Sequence, residues 1–114
     1  MTRQSLPSRR PSVTYATEWD NHQITVTVGH YLDGTPGEVF ADVAKGALRA
    51  TLADACTIIS IALQHGIRPD DLAKSIGKVP MMEWDATIEE MVEVERPASP
   101  IGAVLEIVRK SAPV

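Results

Sequence analysis

Apolar residues alternate with threonine and glycine over residues 24–29, and this period of two predicts a β-strand with one buried face. Residues 13–18 form a second β-branched and aromatic segment, and residues 38–43 form a third. Asp20 and Asn21 supply a turn signal in the first gap, and residues 33–37 supply a denser one, rich in glycine and proline, in the second. The three segments are therefore predicted to form an antiparallel meander.

A long apolar helix is predicted after the meander, because apolar residues recur there every three or four positions. This stripe consists of Leu48, Leu52, Ala55, Ile59 and Ala62. Gly66 suits the left-handed position just beyond the helix. Further apolar residues widen the stripe, namely Cys56, Ile58, Ile61 and Leu63. We therefore expect a mostly covered helix, packed against the sheet and later helices or against a second copy of the chain, whose exposed strip is confined to Arg49, Thr57, Ser60 and Gln64.

Shorter helices are predicted in the second half of the chain. Pro69 suits the first position of one, and Ser99 followed by Pro100 suits the start of the last. Between them, Ile88, Met91 and Val92 have helical spacing, which predicts a short amphipathic helix from Asp85 onward. The fold class expected is α+β: a small antiparallel meander of about three strands packed on one long helix, followed by shorter helices.

Composition narrows the class of protein. The 114 residues suit a single domain, expected over residues 13–114, and the formal net charge of -4 argues against a general nucleic-acid surface. A single cysteine excludes an internal disulfide framework. No apolar run reaches the roughly 20 residues of a membrane span, and no apolar segment of a secretory signal follows the first arginines. We therefore expect a cytoplasmic protein that does not bind membranes.

Residues 1–12 are expected to form a flexible arm, because they contain two prolines and are otherwise largely polar. The arm is basic, with three arginines and no acid. One interpretation is a solvated tail. The other is a segment that binds a partner, with Leu6 and Pro7 entering an apolar groove, and Arg9 and Arg10 pairing with acidic groups on a partner or on this protein.

The single cysteine and the three histidines are not assigned to a reactive or metal-binding site. Cys56 lies in the apolar stripe of the long helix, where burial disfavours a reactive thiolate. His22, His30 and His65 lack the close spacing of metal ligands and are read as unrelated surface residues. No metal, cofactor or catalytic residue is assigned.

The acids of residues 83–95 leave three interpretations open. These acids are Glu83, Asp85, Glu89, Glu90, Glu93 and Glu95. They can form a solvated surface, a binding surface for a basic segment such as the arm, or the carboxylate pair of a small enzyme. Nothing in the spacing shows which two carboxylates would be buried together.

The junction between the third strand and the long helix is a candidate anion site. Lys45, the main chain of Gly46 and Arg49 can together hold a phosphate or a carboxylate at a helix start. The spacing is not that of a phosphate-binding loop or of a dinucleotide fingerprint. The alternative is an ordinary helix start with two solvated cations.

Several segments together resemble the TSCPD domain family. The most specific of them are the hairpin at residues 26–40 and the Leu-Gln-His-Gly end of the long helix at residues 63–66. The matching segments are 26–29, 33–34, 36–40, 45–46, 48–50, 59–67 and 98–105. The arm, with Leu-Pro-Ser-Arg-Arg-Pro at residues 6–11, is similar to that of short, free-standing members.

The resemblance implies a link to ribonucleotide reductase and hence to deoxyribonucleotide supply, because the domain occurs at or near the C-terminus of adenosylcobalamin-dependent reductases. This chain lacks the length for their catalytic barrel and has one cysteine where they need several. It is therefore not expected to reduce a ribonucleotide alone, and no catalytic residue carries over. The resemblance favours an accessory or regulatory module that binds a partner protein, such as a reductase, or itself as a homodimer. The alternatives are a nucleotide- or phosphate-binding domain at residues 45–49 and a small enzyme that uses acids of residues 83–95.

Overall fold

The chain folds as a meander, two helices, a hairpin and a final helix. The computed structural model describes residues 2–44 and 46–113. Its elements are β1 (Ser12–Trp19), β2 (His22–His30), β3 (Pro36–Val43), α1 (Ala47–Gln64), α2 (Pro69–Ser75), β4 (Lys78–Asp85), β5 (Glu90–Pro97) and α3 (Pro100–Ser111). The predicted α+β class, with a three-stranded meander and one long helix, is confirmed.

The meander has strand order β1-β2-β3, with both pairs antiparallel. Asp20 and Asn21 connect β1 to β2 and both have positive φ, of 46° and 63°, as a two-residue hairpin turn requires. The register places Tyr15 opposite Val26, and Val26 opposite Ala41. One face of the sheet is therefore apolar across all three strands, as the alternation of residues 24–29 predicts.

Helix α3 covers the apolar face of the sheet. Val104 and Val108 are fully buried, and they pack in one core with the fully buried Val26 and Val28 of β2. Ser99 begins this helix, since its hydroxyl oxygen accepts a hydrogen bond from the main-chain N–H of Gly102 at 3.2 Å. The predicted cap and helix start are confirmed.

Helix α1 lies beside the edge of β3 and buries only one side. Leu52 is 1% exposed, whereas Ile58 on the opposite side is 69% exposed. Gln64 is buried and Ser60 is half-buried. The expectation that Ser60 and Gln64 lie on the exposed strip of α1 is therefore wrong, because both contact main-chain groups of β3. Cover of the other side of α1 by a second copy of the chain stays a prediction. By length and composition α1 could cross a membrane, but core helices of soluble proteins share that property.

Residues 78–97 form a β-hairpin, and the short helix predicted from Asp85 is wrong. Strands β4 and β5 pair antiparallel from Lys78 opposite Pro97 to Asp85 opposite Glu90. In β5, Val92 and Val94 alternate with acids, which is the period of a strand. Ile88 lies in the turn between the two strands, and Met91 and Val92 lie in β5, so their helical spacing does not reflect a helix.

Candidate functional site

The β4–β5 hairpin exposes large apolar side chains to solvent. In the register of the two strands Trp84 lies opposite Met91, and Met82 is two residues from Trp84 on the same face. Trp84 is 62% exposed, Met82 58% and Met91 53%. We call these three side chains the hairpin face. Ile88, in the turn, is also exposed. Clustered exposed apolar residues of this kind commonly mark an interaction surface.

The same hairpin accounts for the negative charge of the molecule. Its six acids exceed its two bases, Lys78 and Arg96, by four, and the whole chain has a formal net charge of -4. The rest of the chain is therefore electrically balanced. The hairpin face is bordered by carboxylates, since Glu93 lies opposite Met82 and Glu95, two residues further along β5, is on the same face.

An ion pair braces the hairpin across its two strands. The guanidinium of Arg96 donates two hydrogen bonds to the carboxylate of Glu83. These bonds lower the pKa of Glu83 and raise the pKa of Arg96. None of the six carboxylates of residues 83–95, all of which the structure describes, is buried. The arrangement therefore gives no support to a catalytic carboxyl pair.

A cleft of about 690 Å³ lies where the base of the hairpin meets the β1–β2 turn and α3. On its wall, the indole N–H of Trp19 donates a hydrogen bond to the carbonyl oxygen of Pro97 at 3.2 Å. Glu106 lies 3.7 Å from the ammonium of Lys78, and a hydrogen bond from Arg109 lowers its pKa. One hydrogen bond and one ion pair, between Lys78 and Glu106, thus connect the hairpin to the body of the molecule at this cleft.

The N-terminal arm lies along its own domain. Arg10 donates to the carboxylate of Glu38, and the main-chain N–H of Gln4 donates to the carbonyl oxygen of Gln64 at 2.7 Å. Leu6 is half-buried beside Gly37. Arg10 thus pairs with β3 rather than with the acidic hairpin. Pro7 is half-buried and Arg9 is exposed, and partner binding by the arm stays a prediction, as does the boundary at residue 12.

The candidate anion site at residues 45–49 stays a prediction. Lys45 lies outside the described residues. Gly46 occupies the position before α1 with a φ of 100°, which glycine adopts without strain. Arg49 is exposed, and its Nε lies 3.1 Å from a carboxylate oxygen of Asp42 on β3. The described residues therefore place Arg49 in a surface ion pair.

Three side chains of α1 cover the edge of β3. The hydroxyl oxygen of Ser60 accepts from the main-chain N–H of Val39 at 3.0 Å, and the amide of Gln64 donates to the carbonyl oxygen of Gly37 at 3.0 Å. Cys56, one turn before Ser60, contacts the main chain of Ala41. We call Cys56, Ser60 and Gln64 the edge-covering row. It satisfies main-chain groups that would otherwise attract another strand.

Comparison with known proteins gives the family. The TSCPD domain family matches residues 2–107, which is nearly the whole chain, including the arm. This chain belongs to the TSCPD domain family. No solved structure matches it.

Curated relatives connect this TSCPD protein to ribonucleotide reductase. A vitamin B12-dependent ribonucleotide reductase of Rhodopirellula baltica is 39% identical over 67 residues, which are 57% of this chain and 6% of that protein. The corresponding protein of Agrobacterium fabrum is 34% identical over 67 residues, 57% of this chain and 5% of its own. That of Bradyrhizobium diazoefficiens is 32% identical over 71 residues, 60% of this chain and 6% of its own. The chain thus spans 5–6% of the length of these relatives.

Two features of this TSCPD protein were missed by reasoning from its sequence. The edge-covering row has a spacing of four, which is visible in the sequence, but polar residues at that spacing equally fit an exposed strip. The hairpin face has a weaker signal, the alternation at residues 92–95. His30 is buried, contrary to the expectation of three surface histidines. Among the described residues no cluster of three or more metal-binding side chains occurs.

We expect Cys56 of this TSCPD protein to resist alkylation in the folded state. It is buried, and burial raises the pKa of its thiol to about 11, although the contact with Ala41 opposes the shift. Iodoacetamide at pH 8 should therefore modify it only as fast as the protein unfolds. Mass spectrometry at rising urea concentrations measures this. Rapid modification without urea would show that the thiol is accessible in the native fold.

Proposed function

We propose that this TSCPD protein is a non-catalytic accessory or regulatory module of vitamin B12-dependent ribonucleotide reductase, acting through protein–protein interaction. The observation that carries this proposal is the hairpin face. Trp84, Met82 and Met91 are each more than half exposed and share one side of a projecting hairpin. A reductase is the partner that the relatives suggest, since they are named as vitamin B12-dependent ribonucleotide reductases.

The energetics favour a covered hairpin face. An exposed tryptophan with two neighbouring methionines gains free energy when a partner removes it from water, at roughly 25 cal/mol for each Å² of apolar surface. Aromatic residues and methionine are also enriched in protein interfaces. A central apolar cluster within a polar and charged border is the usual anatomy of such an interface. The hairpin has this arrangement, with Glu93 and Glu95 on the same face as the apolar cluster.

The proposal is tested with the purified chain and a vitamin B12-dependent ribonucleotide reductase from the same organism. Calorimetry measures binding, and ribonucleotide turnover is measured with and without the chain. We expect saturable binding, a change in turnover, and binding about tenfold weaker or more for Trp84→Ala, because hot-spot aromatics contribute most of an interface's affinity.

The matched control is Phe40→Ala, which removes an aromatic side chain of similar exposure, 58%, from β3. It should leave binding unchanged. Absence of binding together with unchanged turnover would contradict the proposal. Equal losses of affinity for the two variants would show that the hairpin face is not the binding surface. Light scattering of the chain alone tests the proposed homodimer, which the exposed Ile58 of α1 favours.

A further inference from the structure

The β4–β5 hairpin has only two strands, and β5 contacts the rest of the described chain mainly through α3. Two strands alone are marginally stable in water, whereas three with an apolar face are stable. Its two strands form a separate sheet among the described residues, so each has an outer edge that pairs with no further strand. The two edges differ, because Pro80 in β4 has no N–H to donate, whereas β5 has no proline before Pro97.

The orientation of the β5 edge follows from Pro97. Its carbonyl oxygen accepts from the indole of Trp19, on β1, and therefore points away from β4. Main-chain groups alternate between the two edges of a strand, so Glu95, Glu93 and Met91 also direct theirs outward. The outer edge of β5 is thus open to pairing from Met91 to Glu95.

The side chains of β5 divide by charge. Glu93 and Glu95 lie on the same face as Met91, while Val92 and Val94 lie on the other. A strand placed beside β5 would put one set of its side chains next to two carboxylates and the other set next to two valines. Opposite charges and apolar pairs across neighbouring strands are each stabilising. A second copy of this hairpin does not fit, since its acids would meet like charge.

We propose that the outer edge of β5 binds an extended partner segment in which Lys or Arg alternates with apolar residues, adding it as a third strand. This inference rests on the proposed function, because it specifies the chemistry of the partner at the hairpin. Strand addition gives affinity through main-chain hydrogen bonds and selectivity through alternate side chains. The basic residues pair with Glu93 and Glu95, and the apolar residues cover Val92 and Val94.

The test uses the full chain and an end-blocked synthetic peptide of eight residues in which Lys and Val alternate. Calorimetry measures affinity, and amide hydrogen exchange reports the main chain of β5. We expect binding, slowed exchange at the Glu93 and Glu95 amides, and about tenfold weaker binding when a central Val of the peptide is proline. A block peptide of four Lys followed by four Val should bind as weakly as the peptide with proline.

Matched variants separate strand addition from simple charge attraction. Glu93→Gln with Glu95→Gln should weaken binding roughly three- to tenfold. Asp54→Asn with Asp70→Asn removes the same charge from two exposed positions on α1 and α2 and should change little. Equal binding of the block peptide, equal effects of the two double variants, or unchanged exchange in β5 would each overturn the inference.

The outcome is distinguishable from that of the proposed function. If a reductase binds and Trp84→Ala weakens that binding while no peptide adds to β5, the inference fails and the function stands. If the alternating peptide binds with slowed exchange while no reductase binds, the edge is a strand-binding site and the proposed partner is wrong.

Discussion

Leu52→Ala is expected to lower the free energy of unfolding by about 3 kcal/mol, as substitutions of fully buried leucines do. Leu52 is 1% exposed and belongs to the core between α1, the sheet and α3. Alanine leaves a cavity there, because neighbouring side chains close over lost volume only in part. A small domain is stable by about 5–15 kcal/mol, so this one change removes a large share of the total. Urea unfolding followed by circular dichroism measures the effect.

Ile58→Ala is the matched control on the same helix. Ile58 is 69% exposed, so the same kind of truncation should change the free energy of unfolding by no more than about 0.5 kcal/mol. A large loss at Ile58 would show that this side of α1 is buried in solution. If that loss grew with protein concentration, a second copy of the chain would be what buries it.

Gln64→Leu is expected to lower the free energy of unfolding by about 2 kcal/mol although the side chain keeps its size. The amide of Gln64 donates to the carbonyl oxygen of Gly37 at 3.0 Å, and its oxygen accepts from the guanidinium of Arg3 at 2.6 Å. Leucine makes neither bond, so the carbonyl of Gly37 loses its partner at the edge of β3. An unpaired buried acceptor costs more than the bond itself contributes.

Gln23→Leu separates this effect from a general cost of replacing glutamine. Gln23 is exposed, and its amide donates to Glu18 at 3.0 Å on the surface of the sheet. Water replaces that bond, so we expect a change of about 0.5 kcal/mol or less. The comparison is made by urea unfolding of both variants. Equal effects would show that Gln64 does not satisfy the β3 edge.

The meander was predictable because its signals are local. Ile24, Val26 and Val28 alternate with small polar residues, and Asp20 with Asn21 forms the turn that the sequence indicates. The same holds for α3, where Ser99 forms the expected cap. Local propensity and tertiary structure agree at these positions, so the sequence alone predicts these elements.

The hairpin was less predictable because its alternation is broken. Met81 and Met82 are adjacent apolar residues, and both are exposed on opposite faces of β4. A strand with no covered face has no reason to alternate strictly, since neither face is selected for burial. The same lack of a covering partner that makes this hairpin the candidate site also weakens its pattern.

Polar residues on α1 could not be assigned from sequence for a different reason. Ser60 and Gln64 bond to main-chain groups of a strand more than 20 residues away in sequence. Helical periodicity tells which residues share a side with Cys56, but not whether that side meets water or a strand edge. The same reason applies to the candidate anion site, because the ion pair of Arg49 with Asp42 forms only once β3 and α1 lie side by side.

The edge-covering row matches the repeat of a helix to the repeat of a strand only approximately. Four residues of helix advance about 6.0 Å, whereas two residues of strand advance about 6.6 Å. Each successive contact along α1 therefore falls short of its strand partner by roughly 0.6 Å, and the shortfall accumulates. Cys56, Ser60 and Gln64 are separated by two such steps, so the shortfall across the row is about 1.2 Å and all three side chains still reach the main chain of β3. Because the shortfall grows with each further turn, a straight helix can cover only a short length of strand edge in this way.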